Sequence, residues 1–186
     1  DGFTITGGYA SGLTDNCETY YGGGMFNYYS SPTIHNCHFT NNRASGGGGA
    51  MFNDYNSSPE ISNCSFTNNL VYGTYLSEEG GGGIYNYFNS SPAISYCHFE
   101  KNSAYVKKGS APVSSGGGGG IFNEWNSSPD INHCRFVNNF AQYNGDGVNY
   151  NGSTAFVTNS VFEGNSGDGL HAYGSGTISN CFFTCV

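Results

Sequence analysis

The sequence predicts an all-β solenoid, a parallel β-helix of about six coils with three short strands in each. Three observations carry this. A passage of about 20 residues recurs four times: GGMFNYYSSPTIHNCHFTNN at 23–42, GAMFNDYNSSPEISNCSFTNN at 49–69, GGIYNYFNSSPAISYCHFEKN at 82–102 and GGIFNEWNSSPDINHCRFVNN at 119–139. Self-similarity at such a period is the mark of a stacked repeat. Apolar and aromatic residues hold fixed places in every copy, bounded by Gly, Asn, Ser or Pro, as short strands are. No segment shows a 3.6-residue apolar period with caps, so helices are not expected.

Each element follows in order. After a glycine run, Ile84-Tyr85-Asn86 alternates, with Ile84 and Asn86 on one face and Tyr85 on the other. Ile94-Ser95 follows the Ser90-Ser91-Pro92 turn, and Cys97-His98-Phe99 follows directly. Ile61 and Phe66 are an odd number of residues apart, so both point inward only if the chain bends between them. Asn63 supplies that bend, because Asn tolerates the left-handed conformation. Cys37, Cys64, Cys97, Cys134 and Cys181 share one position, which Ser160 holds in the fifth copy, and Phe3 fits it at the start of the chain. The single domain spans 1–186, with loop insertions at 9–22, 70–80 and 103–116, and is expected to be a segment of a longer surface protein. Insertions at one corner leave a stack intact.

Stacking at about 4.8 Å gives three columns. Ile34, Ile61, Ile94, Ile131 and Ile178 form one, and Phe39, Phe66, Phe99, Phe136, Phe162 and Phe183 a second. Asn42, Asn69, Asn102, Asn139 and Asn165 form an amide ladder at a corner. The five cysteines are read as a buried structural stack of small apolar thiols. In-register parallel side chains have poor disulfide geometry, and a line of ligands is not a tetrahedral metal site. Cys17 and Cys185 lie outside the stack.

FTNNRASGGGGAM, residues 39–51, resembles the FxxN and GGA[ILV] tandem motifs of polymorphic outer-membrane proteins. It equally resembles the wider group of right-handed parallel β-helix repeats of bacterial and archaeal surface proteins. DGFTITGG and NSGDGLHAYGSGTISN look like the generic β-helix repeat. The resemblance covers nearly the whole chain. It implies a right-handed coil and an extracellular or cell-surface location. No membrane barrel accompanies the repeats, which separates the chain from the autotransporter pattern.

Charged residues make up 10% of the 186, against about 25% in an ordinary soluble protein, and the net charge is −8. Nucleic acid is excluded as a partner, because its binding needs a basic surface. No run of 18 apolar residues is present, so no membrane insertion is expected. Candidate binding residues are Phe26, Phe52, Tyr85 and Phe122, outward on the first strand, and Trp125, which belongs with Tyr29, Tyr55 and Phe88 just beyond. These rows are covered by corner loops, pack on another protein, or stack on sugar faces. Asp54, Glu60, Glu124 and Asp130 read as a solvated face, although Asp54 and Glu124 stand roughly 10 Å apart by strand spacing, close to an inverting glycosidase pair. His98, Glu100 and Arg135 are the catalytic candidates, and Asp168 with His171 is a further acid–histidine pair, in a GDG segment suited to a tight turn. No cofactor or metal is expected, and calcium is not indicated. Asn56, Asn63, Asn89, Asn126 and Asn151 lie in glycosylation sequons. The outward column Thr40, Thr67, Glu100, Val137, Glu163, Thr184 lacks the regular threonines of an ice-binding face.

The functional expectation is an extracellular structural or adhesive module, with catalysis not expected. Its partners are other subunits or further coils end to end, and a carbohydrate ligand is the further candidate. The alternative is a polysaccharide-binding or polysaccharide-degrading β-helix.

Overall fold

Successive copies of the repeat pair strand for strand, always parallel and with equivalent residues in register. The computed structural model describes residues 1–12, 20–73, 80–106 and 117–184. Four sheets result, each taking one strand from successive coils. The first sheet holds Met25–Tyr28, Met51–Asp54, Ile84–Asn86, Ile121–Glu124, Val148–Asn151 and Leu170–Tyr173. The second holds Thr33–His35, Glu60–Ser62, Ala93–Ser95, Asp130–Asn132, Ala155–Thr158 and Gly176–Ser179. The third runs in seven strands from Thr4–Thr6 to Phe182–Thr184.

The three strands expected per coil are these, and the coil carries a fourth. Tyr9–Ala10, Arg43–Ala44, Leu70–Gly73, Ser103–Val106 and Phe140–Ala141 form the fourth sheet. Its strands include the first residues of stretches 70–80 and 103–116 and part of 9–22, all expected as loops. The physical reason is a stack of small inward residues, Ala44, Val71, Ala104 and Ala141, buried behind exposed Arg43 and Tyr72. Much of the remainder of those stretches lies outside the described residues.

Columns fill the interior as the register requires. The rings Phe39, Phe66, Phe99, Phe136, Phe162 and Phe183 stack with centroids 4.7–4.9 Å apart and planes within 9° of parallel. Ile34, Ile61, Ile94 and Ile131 are buried, and Val157 continues that column before Ile178. The bend between the second and third strands recurs with positive φ at Asn36, Asn63, Tyr96, His133, Asn159 and Asn180.

Two asparagine ladders run along the axis. Asn42, Asn69, Asn102 and Asn139 each donate from Nδ2 to Oδ1 of the next asparagine, ending at Asn165, over 2.9–3.1 Å. Each Oδ1 along the way also accepts a backbone N–H, as Asn102 Oδ1 does from Asn69 (3.1 Å). Each Nδ2 donates again to a carbonyl of the coil before, that of Ile5 for Asn42 and of a phenylalanine for the others, as Asn102 does to Phe66 (2.8 Å). The amide therefore uses its full donor and acceptor capacity. A second ladder, Asn27, Asn53, Asn86 and Asn123, is joined through side chains alone, at 2.7–2.8 Å.

The turn between the first and second sheets has its own ladders. Ser57 N–H donates to Ser90 Oγ and Ser90 N–H to Ser127 Oγ, while Ser91 N–H donates to Ser58 Oγ and Ser128 N–H to Ser91 Oγ. The recurring Ser-Ser-Pro thus locks one turn to the next by hydroxyl groups running in both directions.

Candidate functional site

The first sheet turns Met51, Ile84 and Ile121 inward and Phe52, Tyr85 and Phe122 outward. The outward row was read either as covered by corner loops or as exposed rings that meet a protein or a sugar, and Phe26, Phe52, Tyr85 and Phe122 were named as binding candidates on the second of these. Phe52, Tyr85 and Phe122 are instead buried, at 3%, 2% and 0% exposure, in a hydrophobic cluster of their own. Tyr21 stacks on Phe52 with centroids 4.5 Å apart, and Phe26 and Tyr87 pack against the same cluster. The glycine run makes room for this. A Cβ on Gly80 would meet the Tyr85 ring at 2.1 Å, and one on Gly47 would meet it at 2.4 Å. Phe52, Tyr85 and Phe122 are therefore a second, outer core, and only half-buried Phe26 keeps part of its ring accessible.

Two residues further along the same face stand Tyr28, Asp54, Tyr87, Glu124 and Asn151, in consecutive coils. Asp54 and Glu124 were expected on a solvated face, yet they are 9% and 5% exposed. Glu124 Oε2 accepts the Tyr85 hydroxyl at 2.9 Å, and its Oε1 accepts Asn151 Nδ2 at 2.8 Å. Asp54 Oδ1 accepts the Tyr55 N–H at 2.8 Å. Burial pushes the Asp54 carboxyl up from 3.8 to about 6, against that stabilising N–H. Glu60 and Asp130, which open the next strands, are exposed as expected.

Between these two sets of acids lies the turn that carries the exposed rings. Tyr29, Phe88 and Trp125 are 63%, 36% and 53% exposed, and Tyr55 is half-buried. They stand in one row along the turn, the first three in ring contact in succession. Tyr29 and Tyr55 have centroids 5.3 Å apart, Tyr55 and Phe88 4.8 Å, and Trp125 meets Tyr87 edge-on at 6.3 Å. All four hold positive φ, at 48°, 48°, 48° and 50°. Bulky side chains rarely occupy that region, which suits glycine or asparagine.

The third-sheet catalytic candidates do not converge. His98 Nε2 is 3.6 Å from Glu100 Oε2, but Glu100 bonds Lys101 at 2.9 Å, which lowers its pKa, and Arg135 pairs with Glu163. All lie on a partly exposed sheet surface. Asp168 and His171 touch at 3.1 Å near the C-terminal end, where a cavity of about 220 Å³ is lined by Asp168, Phe162, Leu170 and Phe183.

The cysteine stack is internal. Cys37, Cys64, Cys97 and Cys134 are buried and Cys181 is half-buried, all as free thiols. Each donates to the carbonyl two residues back, at 3.1–3.4 Å. Ser160 does the same to Thr158 (2.8 Å) and accepts the Cys134 N–H (3.1 Å). Contact with the Cys134 thiol, and burial, push Cys97 up to about 12, which keeps it an unreactive thiol. Among the described residues no group of three or more His, Cys, Asp or Glu is placed to hold a metal ion. Cys17 and Cys185 lie outside the described residues.

Sequence reasoning missed the second asparagine ladder and the serine ladders. Their signals were present in the recurring Asn of FNY, FND, YNY and FNE, and in a Ser-Ser pair read as a turn and as part of a glycosylation sequon.

No curated protein and no solved structure matches this chain. One family model does, that of the right-handed β-helix region, over residues 1–183. With four parallel sheets in continuous register over the same span, the chain belongs to the right-handed β-helix family.

Proposed function

We propose that this is an extracellular adhesive module that holds a polysaccharide along its axis, through the ladder Tyr29, Tyr55, Phe88 and Trp125. Domains of this family occur in surface proteins and in polysaccharide-active enzymes. The observation that carries the reading is a contrast inside the chain. The turn from Tyr28 to Thr33 and the turn from Asn151 to Phe156 have equal length. The first places Tyr29 at φ 48° and the second Gly152 at φ 63°. Glycine closes this turn without strain, so closure does not call for a tyrosine there. An exposed ring kept at a costly backbone position serves something outside the fold. The test is a glycan array read with the wild-type chain and with Trp125→Ala and Phe88→Ala. A specific signal that the variants lose supports the ladder, and one that both variants retain removes it.

A second reading is favoured by the Asp54 carboxyl, protonated up to about pH 6, two coils from a hydrogen-bonded Glu124. One carboxylic acid and one carboxylate roughly 10 Å apart by strand spacing suit hydrolysis with inversion. Both groups are buried, which makes binding by the exposed rings the better supported role. Release of new reducing ends from an array-positive glycan, abolished by Asp54→Asn and by Glu124→Gln, establishes the hydrolase; its absence leaves the binder.

A further inference from the structure

We propose that the polymer held by the ladder is an amino glycan, a chain of hexosamine units bearing protonated amines. This rests on the ladder being a glycan-binding surface, and charge complementarity carries it further. Asp54 and Glu124 close the strands that precede the ladder turn, and Glu60 and Asp130 open the strands that follow it. The rings therefore run between two acidic rows. Among the described residues, no Lys or Arg lies on the first sheet, the second sheet or the turns between them. Arg43 is on the fourth sheet and Arg135 on the third, and Lys101 follows a third-sheet strand. The overall charge of −8 has the same sign. A polyanionic glycan is repelled by this surface, and a neutral one gains hydrogen bonds from its hydroxyls to the acids but no charge attraction. A polycation gains from both the acids and the ring faces.

The spacing of the acids adds to this. They occur in the coil of Asp54 and Glu60 and again in the coil of Glu124 and Asp130, while the coil between carries Tyr87 and Ala93 at those places. The acid pair thus occurs twice, two coils apart. In an extended glycan whose successive residues are flipped, equivalent substituents likewise return to one side every second residue. A basic peptide is the other polycation. It takes much of its affinity from backbone hydrogen bonds or apolar pockets, and this turn row offers side chains on the long face of the solenoid, away from the free strand edges at its two ends.

The experiment is calorimetric titration of the full chain with a glucosamine hexamer, its fully N-acetylated counterpart, a galacturonate oligomer and poly-lysine, at low and physiological salt. The expected result is glucosamine hexamer bound about tenfold more tightly than the acetylated hexamer. That preference shrinks with salt and is reduced in the double variant Glu60→Gln/Asp130→Asn, which leaves Asp54 and Glu124 in place. Both substituted residues are exposed, so the fold tolerates the changes. Acetylated hexamer bound as tightly as the free amine, or a preference undiminished in the double variant, overturns the amino-glycan assignment while leaving a glycan-binding ladder standing. Tighter galacturonate overturns it as well. Poly-lysine bound as tightly as the hexamer, and unaffected by Trp125→Ala, overturns it in favour of a peptide partner. No binding of any glycan, or binding indifferent to Trp125→Ala and Phe88→Ala, overturns the ladder itself.

Discussion

The four coils that carry the repeated passage and the two coils that follow solve the same packing problem with different residues. Inside, little changes. The phenylalanine stack runs on through Phe162 to Phe183, the first asparagine ladder reaches Asn165, and Val157 continues the isoleucine column. Where identity does change inside, a substitute does the same work, as Ser160 does for a cysteine. The second asparagine ladder stops at Asn123, whose Nδ2 donates to the Asn149 carbonyl because buried Tyr150 takes the next place. Outside, the change is complete. Asn149 and His171 replace the outer-core rings, and Gly152 stands where Tyr29 stands in the first turn. What persists through all the coils is what stacking needs. Apart from the second asparagine ladder, what ends with the fourth coil is what stacking does not need.

The largest effect is expected where the two regions agree. Asn102→Ala removes four hydrogen bonds at a fully buried corner and leaves the Asn69 N–H without its partner. A loss of about 3–5 kcal/mol follows from orphaning buried groups. Asn86→Ala breaks two side-chain bonds in the ladder that does end early, for about 1–2 kcal/mol. Urea unfolding of both variants measures the difference. Equal losses break the ranking of the two ladders.

Asp54 lies only in the repeated coils and gives them a pH dependence. Its folded carboxyl titrates near 6 and its unfolded one near 3.8. Between those values the unfolded chain has released the proton and the native chain retains it. Its contribution is therefore full below about pH 4, falls as pH rises to about 6, and is flat beyond. After allowance for solvent screening the fall is about 1–2 kcal/mol. Asp54→Asn keeps an acceptor for the Tyr55 N–H and removes this slope. The check is the wild-type minus variant difference in urea midpoint at pH 4 and pH 7. An unchanged difference shows that Asp54 does not titrate in that window.

These residues also show what the sequence made legible. The inward columns could be read because Phe, Ile and Cys are ordinarily buried, and the corner asparagines because a repeated amide can bond its own copies. Phe52, Tyr85 and Phe122 were placed on the correct side of their strand, but whether a face is covered depends on other segments, such as Tyr21, that carry no repeat signal. Asp54 and Glu124 were misjudged for the same reason: a carboxylate is usually solvated, and only the tertiary surroundings reveal desolvation. The fourth strand was hidden by chain length. Its two to four residues precede insertions of unequal size, so an alignment on the cysteines assigned them to the loops.

Moving the later coils' residues into the earlier ones sharpens the comparison further. Cys97→Ser imports the Ser160 arrangement, with a hydroxyl that can donate to the Ser95 carbonyl as the thiol does. A change within about 1 kcal/mol is expected, and a larger loss in urea unfolding shows that sulfur itself fills space the hydroxyl cannot.

Tyr29→Gly is the smallest and most telling exchange, because its sign is opposite. The native φ of 48° is costly for tyrosine and free for glycine, while the ring is 63% exposed and gives up little burial. Against this stands the greater conformational freedom of glycine in the unfolded chain and the loss of ring contacts with Tyr28 and Tyr55. The balance is expected to lie between no change and a gain of about 1 kcal/mol. Thermal melting reads that balance directly, and glycan titration of the same protein reads the ladder. Stability held or raised while affinity falls is the signature of a residue kept for binding at the expense of the fold. Stability lost with affinity untouched would make Tyr29 a packing residue after all, and the contrast with Gly152 would then reflect only two ways of closing one turn.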